Sequence, residues 1–333
     1  MIRRQFIILM SAAAASPSLL RAQPRPVPAP ALPDDYPART VTILCPYAGG
    51  GGTDILARIL GQNLSERFGK PFVVEDRPGA GTMIAANMVA KATPDGYTLL
   101  MGTSTPLAIN ATLHAKLPYD PSRDFVPLTL IANVPSVLVV SPSLPVRTTA
   151  ELIEYAKANP NKLSFGSSGL GSPHHLTMEL FKAMTGTELM HVPYKGSVQA
   201  LTDVVAGTIP LMFVGLAPSL NLIRAGSLRA LGVSSKTRVP ELPDVPPITV
   251  DVPGFEAVAW QMLVAPAATP APVVDKLHEA LRQIGSQPEI KRKITQLGML
   301  PIDTPSVADM KTYIKSEIAH WGSVVEKSGA RVN

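Results

Sequence analysis

Four consecutive glycines, Gly49 to Gly52, separate a β-branched run, Thr40-Val41-Thr42-Ile43-Leu44-Cys45-Pro46, from an apolar-periodic stretch that opens with Thr53-Asp54. A strand that empties through glycines into a helix start is the outline of an anion cradle. Glycine lets backbone amides turn toward a guest, and the first helical turn adds unsatisfied N–H groups at the positive end of the helix dipole. A Walker loop is excluded, because Gly52 is followed by Thr53 and Asp54 and no lysine follows the last glycine. A dinucleotide fingerprint is excluded too: counted from Gly49 or Gly50, its last position falls on Asp54 or Ile55, where close packing needs Gly or Ala. A plain turn would need one glycine, so four in a row point to an acidic guest.

A second junction of the same kind is Lys162-Leu163-Ser164-Phe165 followed by Gly166-Ser167-Ser168-Gly169-Leu170-Gly171-Ser172-Pro173 and a helix carrying His175, Leu176, Met178, Leu180 and Phe181. It is not a hydrolase elbow, since Leu170 stands where G-x-S-x-G needs its last glycine. His174 and His175 are adjacent and so point two ways on a helix, which is no zinc clamp; His174 is expected to be exposed. Cys45 is the single cysteine, cannot form an internal disulfide and reads as a core residue of the first strand. The chain therefore reads as non-catalytic, with no metal and no cofactor.

The elements that must position these loops alternate as βαβαβ. Phe72-Val73-Val74-Glu75, the turn Asp76 to Gly81, a helix to about Lys91 and Tyr97 to Met101 complete the first unit, which opens onto Gly102-Thr103-Ser104. Val134 to Val140 reads as a strand, after which Thr148-Thr149-Ala150-Glu151 supplies a capping box. Further strands are expected over Glu188 to Val192, Ile209 to Val214 and Leu228 to Val233, with helices over Ser197 to Ala206 and Ala217 to Ala225. Phe255 to Val264 is an extended return before helices at Val273 to Gly285 and Glu289 to Leu297. A last helix follows Ser306, and in it Met310, Tyr313, Ile314, Ile318, Trp321, Val324 and Val325 fall at helical spacing. Two βα units with facing glycine loops and two long connections imply two α/β lobes hinged around a cleft, with the ligand beyond the carboxyl ends of the strands.

The first 22 residues have a basic start, an apolar run from Phe6 to Ala15 and a small residue, Ala22, at a cleavage point, the layout of a secretory leader. Arg3-Arg4-Gln5-Phe6-Ile7 also fits the twin-arginine pattern, so both export routes stay open. Residues 23–35, rich in proline and alanine, read as a disordered spacer. The formal charge of +5 includes Arg3, Arg4 and Arg21 of the leader, and the few aromatics are not interleaved with basic clusters, so nucleic acid is not an expected partner.

Tyr36-Pro37, Pro46-Tyr47-Ala48-Gly49-Gly50 with Asp54 and Arg58, Arg77-Pro78-Gly79-Ala80-Gly81, Asp95-Gly96-Tyr97-Thr98-Leu99, Leu117-Pro118-Tyr119-Asp120 and His191-Val192-Pro193-Tyr194-Lys195-Gly196 are together similar to the Bug (TctC-type) family. These are periplasmic solute-binding receptors of tripartite tricarboxylate transporters, and the resemblance is collinear from Tyr36 onward. Two departures are Asp76, where the family usually has asparagine, and the third and fourth glycines of the run. The resemblance implies a type II periplasmic-binding fold, with 36–135 and 255–333 as one lobe, 136–254 as the other, and two crossover strands between them. It implies a monomeric receptor that holds a small carboxylate through backbone amides and ordered water and hands it to transporter membrane subunits. A ligand sensor with a signalling partner is the alternative.

The positions carried over by the resemblance are Tyr47, Ala48, Gly49, Gly50, Gly51, Gly52, Thr53 and Asp54 in the first loop, and Ser167, Ser168, Gly169, Gly171, Ser172 and His175 in the second. Thr103 and Ser104 close a neighbouring strand; Tyr194, Lys195 and Asp203 follow from the Val-Pro-Tyr-Lys-Gly segment. Each has a plainer role open to it. Asp54 is expected to accept hydrogen bonds from loop amides or water, since its charge would repel a carboxylate guest. The serine hydroxyls could satisfy loop backbone, His175 could be a structural histidine, and Lys195 could be either the cation near the cleft or a solvated side chain.

Overall fold

The computed structural model describes residues 36–328 and 330; the leader and spacer expected over 1–35 lie outside the described residues. β1 (Val41–Cys45) leads through the glycine run into α1 (Gly52–Phe68), which stops at Gly69 in a left-handed cap whose N–H donates to Ser65 O. β2 (Phe72–Asp76), α2 (Met83–Ala90) and β3 (Thr98–Thr103) follow, then a π-helical turn over Thr105–Ile109 and α3 (Asn110–Leu113). β1 lies parallel to β2 on one side and β3 on the other. Helices cover such a strand on both faces, which is why Ile43, Leu44 and Cys45 are all buried instead of alternating with polar residues.

The chain continues as β4 (Phe125–Val140), α4 (Thr149–Ala158), β5 (Ser164–Ser167), α5 (Pro173–Thr185), β6 (Met190–Pro193), α6 (Ser197–Ala206), β7 (Leu211–Gly215), α7 (Leu216–Arg224) and β8 (Arg229–Val233). It returns through β9 (Val258–Pro266), α8 (Ala271–Ser286), α9 (Pro288–Gln296), β10 (Leu300–Pro301) and α10 (Val307–Ser328). The strand order is β2-β1-β3-β9-β4-β7-β5-β6, with β8 and β10 also on β4.

β4 is the strand that passes from one lobe to the other. From Phe125 to Pro135 it pairs antiparallel with β9, and from Ser136 to Val140 it pairs with β7. β9 is the return crossover, pairing with β3 through Gln261 to Val264. This is the type II periplasmic-binding architecture, two α/β lobes about a cleft. The expected strand at Val134 starts nine residues earlier, at Phe125. Pro127 and Asn133 hid that start. Register shifts between Pro127 and Thr129 and between Leu130 and Ala132 absorb the break.

Buried aliphatic and aromatic side chains fill both lobes. Leu56, Leu60 and Leu64 of α1 pack with Ile43, Leu99, Leu277 and Leu281 in one, and Val137, Val139, Leu201, Met212 and Val214 pack in the other. Met310, Ile314, Trp321, Val324 and Val325 are buried as the spacing in α10 demands, and α10 packs on α3, α5 and β4. Glu317 of α10 accepts both indole N–H groups, from Trp260 of β9 at 2.7 Å and Trp321 at 3.1 Å. The C-terminal helix is thereby fastened to a crossover strand.

Candidate functional site

The first loop is held open by its own acidic residue. Asp54 Oδ2 accepts the Gly50 N–H at 2.8 Å, and Oδ1 lies 2.7 Å from Arg58 Nε one turn along α1. Arg58 also donates to Asp76 Oδ2 at 3.1 Å, which gives the unusual aspartate at that position a partner. Burial works to raise the Asp54 pKa, but the Gly50 amide and Arg58 outweigh it and hold the carboxyl below the usual range. Asp54 is thus turned to the loop, as expected. Gly50 has φ +86, a left-handed conformation that favours glycine. Thr53 Oγ1 accepts from Gln261 Nε2 at 2.9 Å, tying the loop to β9. No side chain caps α1 at Gly51, so no hydroxyl or carboxylate occupies its first-turn N–H groups from that position.

Tyr47 is fixed at the end of β3. Its hydroxyl lies 3.0 Å from Thr103 Oγ1 and 3.4 Å from Thr105 Oγ1, and burial pushes its pKa up. Thr103 and Ser104 are themselves buried. They stand behind the site, with Thr103 orienting Tyr47.

The second loop is set by two neutral histidines. His175 Nδ1 accepts the Gly171 N–H at 3.1 Å, and its ring stacks on His191 at 3.9 Å. Burial, with His191 and Lys182 nearby, lowers His175 to about 3; burial and Lys182 lower His191 to about 4. Ser167 Oγ bonds His191 Nε2 at 2.6 Å and accepts from Gly169 N at 3.1 Å, while Ser172 Oγ caps α5 by accepting His175 N–H at 3.3 Å. Tyr194 donates to Asp203 Oδ2 at 2.6 Å, fixing the turn that leads into α6.

Two cavities lie between the lobes. The larger, about 730 Å³, is lined by Ser168, Gly171, Ser172 and exposed Lys195 on one side. Opposite stand the turn from Ala80 to Met83, Asn110, Leu113 and His114. The second, about 530 Å³, is lined by Gly50, Gly51, Gly52 and Thr53 from the first lobe, and by Ser197, Gly215, Leu216 and Ala217 from the other. Tyr47 and Ser197 border both cavities. In this glycine chamber the first turns of α1 and α7 both open, so two positive dipole ends converge there.

The residues taken from the sequence therefore divide. Tyr47, Gly50, Gly51, Gly52, Thr53, Ser168, Gly171, Ser172 and Lys195 line a cavity. Ala48, Gly49, Asp54, Thr103, Ser104, Ser167, Gly169, His175, Tyr194 and Asp203 are not among those lining residues; most of them hold the loops that are. His174 departs from its expected exposure: it is half-buried, bonded through Nδ1 to Ser168 Oγ at 3.0 Å, and lines the glycine chamber. Sequence reading also missed Gly215 to Ala217, Gln261 and Gly298-Met299 of the same chamber. Phe213-Val214-Gly215-Leu216 is a third strand-glycine-helix junction, and that signal was available. The turn at Ala80 and Thr82, which lines the larger cavity, has left-handed φ of 45 and 77, a strained backbone for residues other than glycine.

The chain matches the model of the tripartite tricarboxylate transporter family receptor over residues 56–330. It is 35% identical over 309 residues to Protein BugT of Bordetella pertussis, covering 92% of this chain and 94% of that one. Among solved structures it is similar to R. palustris Rpa4515 with adipate, at a TM-score of 0.80 and 40% identity over 88% of this chain and 98% of that one. MatC (Rpa3494) from Rhodopseudomonas palustris with bound malate gives a TM-score of 0.76 and 31% identity, over 87% and 100% of the two chains.

Proposed function

The chain belongs to the tripartite tricarboxylate transporter receptor family, and on that premise we propose that it is an exported, non-catalytic receptor that captures a small organic carboxylate in the periplasm and delivers it to transporter membrane subunits. The observation that carries the reading is the glycine chamber, where Gly50 to Thr53 and Gly215 to Ala217 bring two helix N-termini to one space and the loop's own carboxylate is turned away. Backbone amides there supply the attraction, with ordered water completing the contacts. The carboxylates in the two similar structures, adipate and malate, set the size class to test.

Residues 36–135 with 255–333, and 136–254, act as the two closing bodies, hinged where β4 changes partner at Pro135-Ser136 and where β9 begins at Val258. Closure desolvates the guest and so strengthens each amide contact. Calorimetry with malate, succinate, glutarate and adipate tests the reading. At least one is expected to bind at micromolar or better affinity without being chemically altered; no uptake of any, or turnover of one, would remove it.

A further inference from the structure

The glycine chamber contains one ionisable side chain that no other part of the site uses. Among the described residues that line it, Tyr47 and His174 are the titratable ones, and Tyr47 is engaged by Thr103 and Thr105. His174 stands in the first turn of α5, with Nδ1 bonded to Ser168 Oγ and Nε2 left over. A hydroxyl can donate or accept, so this bond survives protonation of the ring.

The groups packed around His174 explain why it is neutral without a guest. Burial drives its pKa to about 4. On the α1 side, Asp54 is turned to Gly50 and Arg58, while Arg58 is engaged by Asp54 and Asp76. On its own helix, His175 is neutral and bonded to Gly171. Lys195, before α6, lines the other cavity, and Gln261 of β9 is uncharged. Among the described residues no carboxylate lines the chamber, and the first turns of α1 and α7 add positive potential.

We propose that His174 is the proton-accepting contact of the ligand site: a carboxylate entering the glycine chamber is met by Nε2, and its capture is coupled to protonation of His174. This rests on the reading of the cleft as a carboxylate site. A unit negative charge within about 4–6 Å raises a neighbouring imidazole by about 1–3 pH units. That brings the liganded histidine into the range where a periplasm-facing receptor senses acidity. Ser168, which lines the larger cavity, is the positioning residue that fixes the ring.

The test uses the intact protein and the tightest binder among succinate, glutarate, adipate and pimelate. Affinity is expected to rise about tenfold from pH 7.5 to 5.5, with net proton uptake read from calorimetry in two buffers of different ionisation enthalpy. His174→Gln keeps only the acid's own titration and sets the baseline, with a change under about twofold. In the wild-type protein, the NMR titration midpoint of the His174 ring moves upward on saturation with that diacid. Binding with no proton uptake and an unmoved His174 midpoint would overturn the coupling while leaving the carboxylate site intact. Absence of binding by all four acids at every pH would instead remove the site itself, and the coupling with it.

Discussion

Asp54 Oδ2 accepts the backbone N–H of Gly50 at 2.8 Å, so the acidic side chain nearest the glycine run shapes the cradle and does not occupy it. Its other oxygen lies 2.7 Å from Arg58 Nε. An anion-binding loop that contains an aspartate is chemically consistent only because of this internal pairing.

Asp54→Asn is expected to lower stability by about 1–3 kcal/mol, since a buried charge-assisted bond is lost while Arg58 stays partly solvated. The folded carboxyl has a depressed pKa, so its contribution is present above the unfolded value of about 3.9 and disappears as pH falls through the folded one. Urea denaturation of both proteins from pH 6 to 3 reads it. A wild-type slope below about pH 4 that the variant lacks is the expected outcome; parallel curves would show that folding does not depress the Asp54 pKa.

The histidine stack of the second loop acts in the same direction but in a higher pH window. His175 and His191 have folded pKa values of about 3 and about 4, below the ordinary histidine value. The unfolded chain therefore takes up protons first, and stability falls as pH drops from about 6.5, by up to about 1.4 kcal/mol per pH unit for each histidine. His175→Leu is expected to reduce that slope and to lose the bond to the Gly171 N–H. A slope unchanged in the variant would mean that folding does not lower the His175 pKa.

Tyr47 borders both cavities, and its hydroxyl is anchored by Thr103 and Thr105. Tyr47→Ala is expected to merge the two spaces, weaken diacid binding by about tenfold and flatten discrimination by chain length, as a loosened pocket does. Tyr47→Phe keeps the ring and should keep the discrimination. Dissociation constants across a succinate-to-pimelate series measure both effects.

The glycine run, β1, α1 and the α10 stripe were legible because each is decided within a few residues of sequence. The first half of β4 was not, because Pro127 and Asn133 read as loop residues and only pairing with β9 makes that stretch a strand. The site was half legible for the same reason. Gly50 and Gly298 line one chamber, yet no local spacing relates them; the crossover topology brings them together. His174 was misjudged because helical position alone does not reveal its bond to Ser168 Oγ or its place in the wall of the chamber.

Glu317→Ala is expected to leave the Trp260 and Trp321 N–H groups without their shared acceptor at a cost of about 2–4 kcal/mol. Loosening α10 from β9 should shift the tryptophan emission to the red. Unchanged emission and stability would show that the helix is held by packing alone.

The most direct test of backbone capture is a calorimetric comparison of adipate with its dimethyl ester in the wild-type protein and in Gly51→Val. The added Cβ at Gly51 meets only Ala48 O, at 3.8 Å, so the fold should tolerate it while the branched side chain obstructs the chamber. Binding of the dianion, no binding of the ester, and loss of the dianion in the folded variant are the expected results. Equal binding of acid and ester, or undiminished binding by Gly51→Val, would contradict a grip by amide dipoles of the glycine loop.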